Sequence, residues 1–102
     1  DMLIIRGVNI FPSQVEEEIL KIPALSAQYQ IHVNKRHNLD ELEVWVEPRV
    51  EVTSTQAQNS KLTLEENIKA WIGVRAKVVI VPPTSIERSI GKAIRVIDQR
   101  KN

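Results

Sequence analysis

Residues 29–47 read YQIHVNKRHNLDELEVWVE, and the fold is decided in this stretch. Tyr29, Ile31 and Val33 alternate with polar neighbours, and so do Leu42, Val44 and Val46. A period of two places each apolar set on one face of an extended strand. The polar run Asn34-Lys35-Arg36-His37-Asn38 between them reads as a turn. The spacing therefore predicts an antiparallel hairpin with one face in the core. Its other face would carry Glu41, Glu43, Trp45 and Glu47 toward solvent.

Upstream of this hairpin the period changes. Pro12 suits a first helical position, and Glu16, Glu17 and Glu18 follow in the early turns, where the helix dipole favours acids. Val15, Ile19 and Ile22 recur at helical spacing, and Pro23 ends the helix. Met2 to Ile10 is apolar and β-branched but broken by Arg6-Gly7, which predicts a short hairpin with Gly7 supplying the turn. Downstream, Pro48 stops the second strand, and Val50 to Ser60 reads as a loop or a frayed helix start. Thr63 and Glu66 have capping-box spacing. Leu64, Ile68, Trp71 and Ile72 form a helical stripe closed by Gly73. Ala76, Val78 and Ile80 predict a strand ended by Pro82-Pro83. Ala93 to Arg100 predicts a short basic helix anchored by Val96 and Ile97. The expected architecture is α+β and ferredoxin-like. It has an N-terminal hairpin, then the order α-β-β-α-β-α, with helices packed on one face of a small, mostly antiparallel sheet.

The chain has 102 residues and is 42% hydrophobic, enough for one small domain. A domain of this size has little room for a deep pocket, so chemistry is expected at an edge or against a partner. Fourteen basic and 13 acidic residues give a net charge of +1, which selects neither nucleic acid nor an anionic membrane. There is no cysteine, which excludes disulfides and thiolate metal sites and fits a reducing cytoplasm. Apolar runs such as Val78-Val79-Ile80-Val81 are far too short to cross a bilayer. The chain opens inside a strand-like stretch with no leader, so it is expected to be a segment of a longer protein.

Several chemistries find no support. His32 points to the outer strand face and His37 lies in a turn; neither has carboxylates at metal-ligand spacing, and no metal site is expected. The serines lack any nucleophile signature. Glu16-Glu17-Glu18 reads as a solvated helix face. Base stacking needs strand aromatics, yet only 4% of residues are aromatic, and Tyr29 and Trp45 sit on separate strands. One segment differs: residues 83–100 read PTSIERSIGKAIRVIDQR. Gly91 before Lys92, at a loop-to-helix boundary, lets backbone approach a ligand while the lysine projects a cation toward a phosphoryl or carboxylate group. Alone, Gly-Lys more often marks an exposed loop lysine.

Both ends read together add more. DMLIIRGVNIFPSQVEEEIL at 1–20 resembles the start of the C-terminal domain of phenylacetate–coenzyme A ligases, and the tail resembles that family's terminal lysine motif. LDELEVWVE at 39–47 resembles its second hairpin strand. The resemblance covers essentially residues 1–102 and places them among the adenylate-forming enzymes. It implies a C-terminal lid working with its own N-terminal domain, which binds ATP, magnesium and an aryl acid such as phenylacetate. The first step makes an acyl-adenylate; the lid then turns its other face, and coenzyme A takes the acyl group. The resemblance assigns Lys92 to the first step, with Gly91 and Arg88 in the phosphate vicinity. It assigns Gly7, flanked by Arg6, Val8 and Asn9, to the pantetheine channel of the second. Arg95 lies near Lys92 and is either a phosphate contact or a solubilising residue. Ile90 and Ile94 depart from the family, which often has an acidic or small polar residue and a basic one there. The domain alone is expected to be inactive and to hold no cofactor. A free-standing ferredoxin-like regulatory module that binds a small molecule is the alternative, and an RNA-binding domain a weaker third. Trp45 reads as a contact for a companion domain or as an exposed residue without a role.

Overall fold

The computed structural model describes residues 2–87 and 95–100. Two short strands, β1 (Leu3–Ile5) and β2 (Val8–Ile10), form the opening hairpin. Its two-residue turn has Arg6 at φ +50° and Gly7 at φ +78°. Both central residues are left-handed, which is the twist a tight hairpin needs. Helix α1 (Pro12–Leu20) follows, with Pro12 in its first turn as expected. The Phe11 N–H donates to Gln14 Oε1 at 2.9 Å and so tightens the helix entry. Val15 and Ile19 are fully buried and Ile22 nearly so. Glu16 to Glu18 fall beyond the first turn, where the dipole no longer favours them.

The central hairpin pairs β3 (Leu25–Arg36) with β4 (Leu39–Pro48) in antiparallel register, Ile31 opposite Val44 and Val33 opposite Leu42. Its turn is again two residues, His37 at φ +51° and Asn38 at +63°. Helix α2 (Ser54–Asn67) then crosses back to β5 (Lys77–Ile80), and β6 (Val96–Asp98) closes the sheet. The order is β5-β4-β3-β6. The helices pack against β3 and β5 over a core that includes Tyr29, Ile31, Val44, Val46, Leu64 and Val78.

The α+β class and the packed helices match expectation; three details differ. The sheet is mixed, because β5 runs parallel to β4 and β6 parallel to β3. Parallel neighbours require a crossover, and the long interval from Pro48 to Lys77 supplies one through α2. The last described element is a strand, not a helix: the Ile31 N–H donates to Arg95 O at 2.6 Å and the Gln99 N–H to Val33 O at 2.8 Å. β-branched Val96 and Ile97 suit that open edge of β3. Finally, α2 begins at Ser54, within the stretch read as a loop or a frayed helix start, and it begins as a regular, capped helix. Thr53 caps it, its Oγ1 accepting from the Gln56 N–H at 3.1 Å while Gln56 Oε1 accepts from the Thr53 N–H at 2.9 Å. Thr63 and Glu66 therefore lie inside the helix. The helix ends in one π-helical turn, Ile68–Ile72, closed by the Gly73 N–H on Ile68 O at 3.1 Å, with Gly73 left-handed at φ +90°. That wider turn shifts the phase of the stripe, so Leu64 and Ile68 are buried and Trp71 is 75% exposed.

Candidate functional site

The Arg6–Gly7 turn is a bare backbone projection. A Cβ built on Gly7 meets no atom within 4 Å. Its neighbours fix it from beneath: Val8 packs against the core, and Ile5 and Ile10 are fully buried. Arg6 is committed to structure. Its N–H donates to Asp40 Oδ2 at 3.2 Å and its Nε to Asp40 O at 2.8 Å. Arg100 joins the cluster, with Nη1 3.2 Å from Asp40 Oδ2 and donating to Ile4 O at 2.7 Å. The Arg6 N–H and then the Arg100 guanidinium hold the Asp40 carboxyl below its ordinary value. The turn borders a groove of about 590 Å³ lined by Arg6, Lys69, Arg75 and Lys77 together with Glu41, Glu43, Glu65 and Glu66. It carries cations and carboxylates in equal number.

Lys92, Gly91 and Arg88, with Ile90 and Ile94, lie outside the described residues. Before them, Pro82 O accepts the Ser85 N–H at 3.1 Å and the Ser85 hydroxyl at 2.6 Å, forming a tight turn in which Thr84 has φ +66°. Ile86 is 4% exposed and plugs the turn into the fold. After them, Arg95 Nη1 donates to Tyr29 O at 3.2 Å and to Gln28 Oε1 at 3.4 Å, and its guanidinium carbon sits 4.6 Å from the Tyr29 ring centroid. Arg95 is thus held within the fold by Tyr29 and Gln28. A pocket of about 310 Å³ lies beside the preceding turn, lined by Gln30, Trp45, Val81, Pro82, Ser85, Ile86 and Glu87.

On the open face of the sheet, Trp45 stacks on His32 with centroids 4.0 Å apart and planes 20° off parallel. Trp45 Nε1 donates to Glu43 Oε1 at 3.0 Å. Burial lowers the His32 pKa, against the pull of Glu43. Trp45 therefore has an intramolecular partner, which the sequence did not reveal. Tyr29 faces the opposite way, 3% exposed, so no pair of strand aromatics forms a base-stacking platform. Among the described residues, no group of three or more His, Asp or Glu side chains is arranged to hold a metal ion.

Sequence reasoning missed Glu47. Strand alternation places it beside Glu43 and Trp45 on the solvent face, but it is 1% exposed. Its Oε1 accepts the Thr84 N–H at 2.8 Å and its Oε2 the Ile86 N–H at 2.7 Å. Among the described residues, Thr84 and Ile86 return over that strand end and meet its carboxylate, and no local signal announces such a return.

Residues 7–100 match the model of the AMP-binding enzyme C-terminal domain. The chain belongs to that family. Over 103 residues this AMP-binding C-terminal domain is 50% identical to a phenylacetate-coenzyme A ligase of Escherichia coli (strain K12), covering 98% of the chain and 24% of that protein. A phenylacetate-coenzyme A ligase of Aromatoleum evansii is also 50% identical, with the same coverage. The domain thus spans about a quarter of the length of these relatives. Among solved structures, a domain of phenylacetate-coenzyme A ligase from Bacteroides vulgatus superposes with a TM-score of 0.90 at 34% identity, covering 99% of this chain and 94% of that one. The 2-hydroxyisobutyryl-CoA ligase in complex with 2-HIB-AMP and CoA in the thioesterification state gives 0.91 at 34% identity, covering 99% and 22%.

Proposed function

We propose that this domain is the C-terminal lid of an AMP-forming acid–thiol ligase that activates an aryl acid such as phenylacetate with ATP and passes the acyl group to coenzyme A. The observation that carries the reading is 50% identity across 98% of the chain to phenylacetate-coenzyme A ligases. The proposed companion is the enzyme's own N-terminal domain, which would hold ATP, Mg²⁺ and the acid. The described residues offer no metal cluster of their own. A cytoplasmic location belongs to the same reading, since ATP and coenzyme A are supplied there. No described helix is long and apolar enough to cross a membrane.

In the first half-reaction a carboxylate oxygen attacks the α-phosphorus of ATP and pyrophosphate leaves with the bonding pair. Two anions must meet. Lys92, presented by Gly91 with Arg88 nearby, supplies a cation to the charge shared between them. In the second, the coenzyme A sulfur, having lost its proton, attacks the acyl carbon and AMP leaves. Gly7, with Arg6 and Val8 at its sides, then offers bare backbone to the pantetheine arm. The open space over Gly7 supports this assignment, and so does a relative of the same fold captured with CoA and acyl-AMP together. The side chain of Arg6 serves by fixing the turn on Asp40.

The test separates the half-reactions in the full-length ligase. Lys92→Ala should lower adenylation, read as acid-dependent ATP–pyrophosphate exchange, by about 10²–10³, roughly 3–4 kcal/mol. Thioester formation from supplied acyl-adenylate should stay within a few-fold. Equal loss of both halves would refute the division of labour.

A further inference from the structure

We propose that the notch between α1 and the π-helical turn, lined by Glu18 and Trp71, receives an arginine side chain of the companion N-terminal domain; the proposal rests on the reading of such a domain in the same polypeptide. Glu18 is 5% exposed. Its Oε2 accepts from Lys21 Nζ at 3.0 Å. Its Oε1 is buried as well and accepts from no described group. A buried carboxylate oxygen without a donor is unfavourable, and this one calls for a donor from outside the domain. Lys21 meets only part of that demand, because its side chain is 61% exposed and solvent screens the pair. Glu17, which is exposed, lines the same notch, so carboxylates there outnumber ammonium groups by one.

A second observation points to the same kind of ligand. The π-helical turn Ile68–Ile72 carries Trp71 out of the apolar stripe, and its indole stands exposed at the edge of this notch. Such turns recur at functional positions. A carboxylate beside an exposed indole selects a cation, which the charge and the ring both attract. The notch measures about 210 Å³, below the roughly 300–1,000 Å³ of sites that enclose a whole small molecule. It suits a single side chain. Arginine fits better than lysine, because its planar guanidinium stacks on a ring and donates to two carboxylate oxygens at once. The last torsion of a glutamate is broad and twofold, so Oε1 can turn to the incoming donors as Lys21 gives way. The same polypeptide is the source: this domain spans only 24% of a phenylacetate-coenzyme A ligase relative. A tethered partner is present at high effective concentration, so one stacked ion pair suffices where a free partner would need a larger surface.

The experiment is hydroxyl-radical footprinting of Trp71, read by mass spectrometry in the isolated domain and in the full-length ligase. A domain of the Bacteroides vulgatus relative, matched over 94% of its length, is a solved structure by itself, which makes the isolated form a usable reference. Trp71 oxidation should fall several-fold in the full-length ligase in at least one of three states: alone, with acid and ATP, or with acyl-adenylate and coenzyme A. Glu18→Gln removes the charge, and Glu17→Lys places a fixed cation at the mouth. Each should return Trp71 to its rate in the isolated domain, and high salt should do so in part. Glu17 is exposed, so Glu17→Lys carries the test if Glu18→Gln does not accumulate folded. Equal oxidation in all three states, or protection that survives either charge change in a folded variant, would overturn the proposal. Protection that rises with ligase concentration would seat a second copy in the notch and overturn it too. Acid-dependent ATP–pyrophosphate exchange is measured on the same preparation. Exchange with an unprotected Trp71 sinks the notch alone; protection without exchange retires the ligase activity while the notch stands.

Discussion

At the scale of single residues, Gly7 separates two effects that are often confused. Its φ of +78° strains any L side chain, yet a Cβ there meets nothing within 4 Å. Gly7→Ala should therefore cost about 1–2 kcal/mol of folding stability through the left-handed backbone alone, read as a lower urea midpoint with unchanged slope. Gly7→Leu carries the same strain with a far larger side chain. If the turn lines a passage for pantetheine in the complete enzyme, Gly7→Leu should depress thioester formation well beyond Gly7→Ala while adenylation stays equal in the two variants. Matching second-step rates would remove the channel role and leave Gly7 a turn former.

Among the elements, α2 shows how a cap can outweigh composition. The Thr53–Gln56 box satisfies donors that would otherwise be left open at the helix start. Thr53→Ala should destabilise the domain by about 1 kcal/mol, within a range of 0.5–2, again measured by urea unfolding. The motif was present in the sequence, but its surroundings concealed it. Residues 50–60 are rich in Ser, Thr, Gln and Asn, and the inward positions Ala57 and Ser60 are small. A helix that buries so little apolar area at its start leaves a weak periodic signal. The β3–β4 hairpin was legible because alternation and a turn are local. The parallel partners were not, since β6 is three residues long and exists only against Ile31, His32 and Val33. Trp71 escaped the stripe because one π-helical turn resets the phase. The candidate site divides the same way. Gly7 was readable from its turn, and the burial of Glu47 was not, because the chain that meets its carboxylate lies some 37 residues downstream.

Across the whole molecule, charge ties the Gly7 hairpin to the sheet. Arg6 and Arg100 meet on Asp40, and Arg100 also reaches Ile4 O and Asp98, with Nη2 2.8 Å from Asp98 Oδ2. The Asp40 carboxyl is held down first by the Arg6 N–H and then by Arg100; Asp98 is held down first by its hydrogen bond from Arg100. A carboxyl with a depressed folded pKa contributes stability above its unfolded value near pH 4, and that contribution is lost as pH falls through the folded value. Acidification below about pH 4 should therefore loosen the hairpin before the core. Amide exchange across Leu3–Ile10 should accelerate at a pH where β3 and β4 remain protected, since local openings need less than global unfolding. Arg100→Ala should produce the same exchange pattern at neutral pH, and added salt should mimic it in part, because these groups are partly exposed. Uniform acceleration of all strands on acidification would instead make the hairpin one cooperative unit with the sheet. In that case the buried Ile5 and Ile10, and not the arginine cluster, would govern how firmly Gly7 is presented.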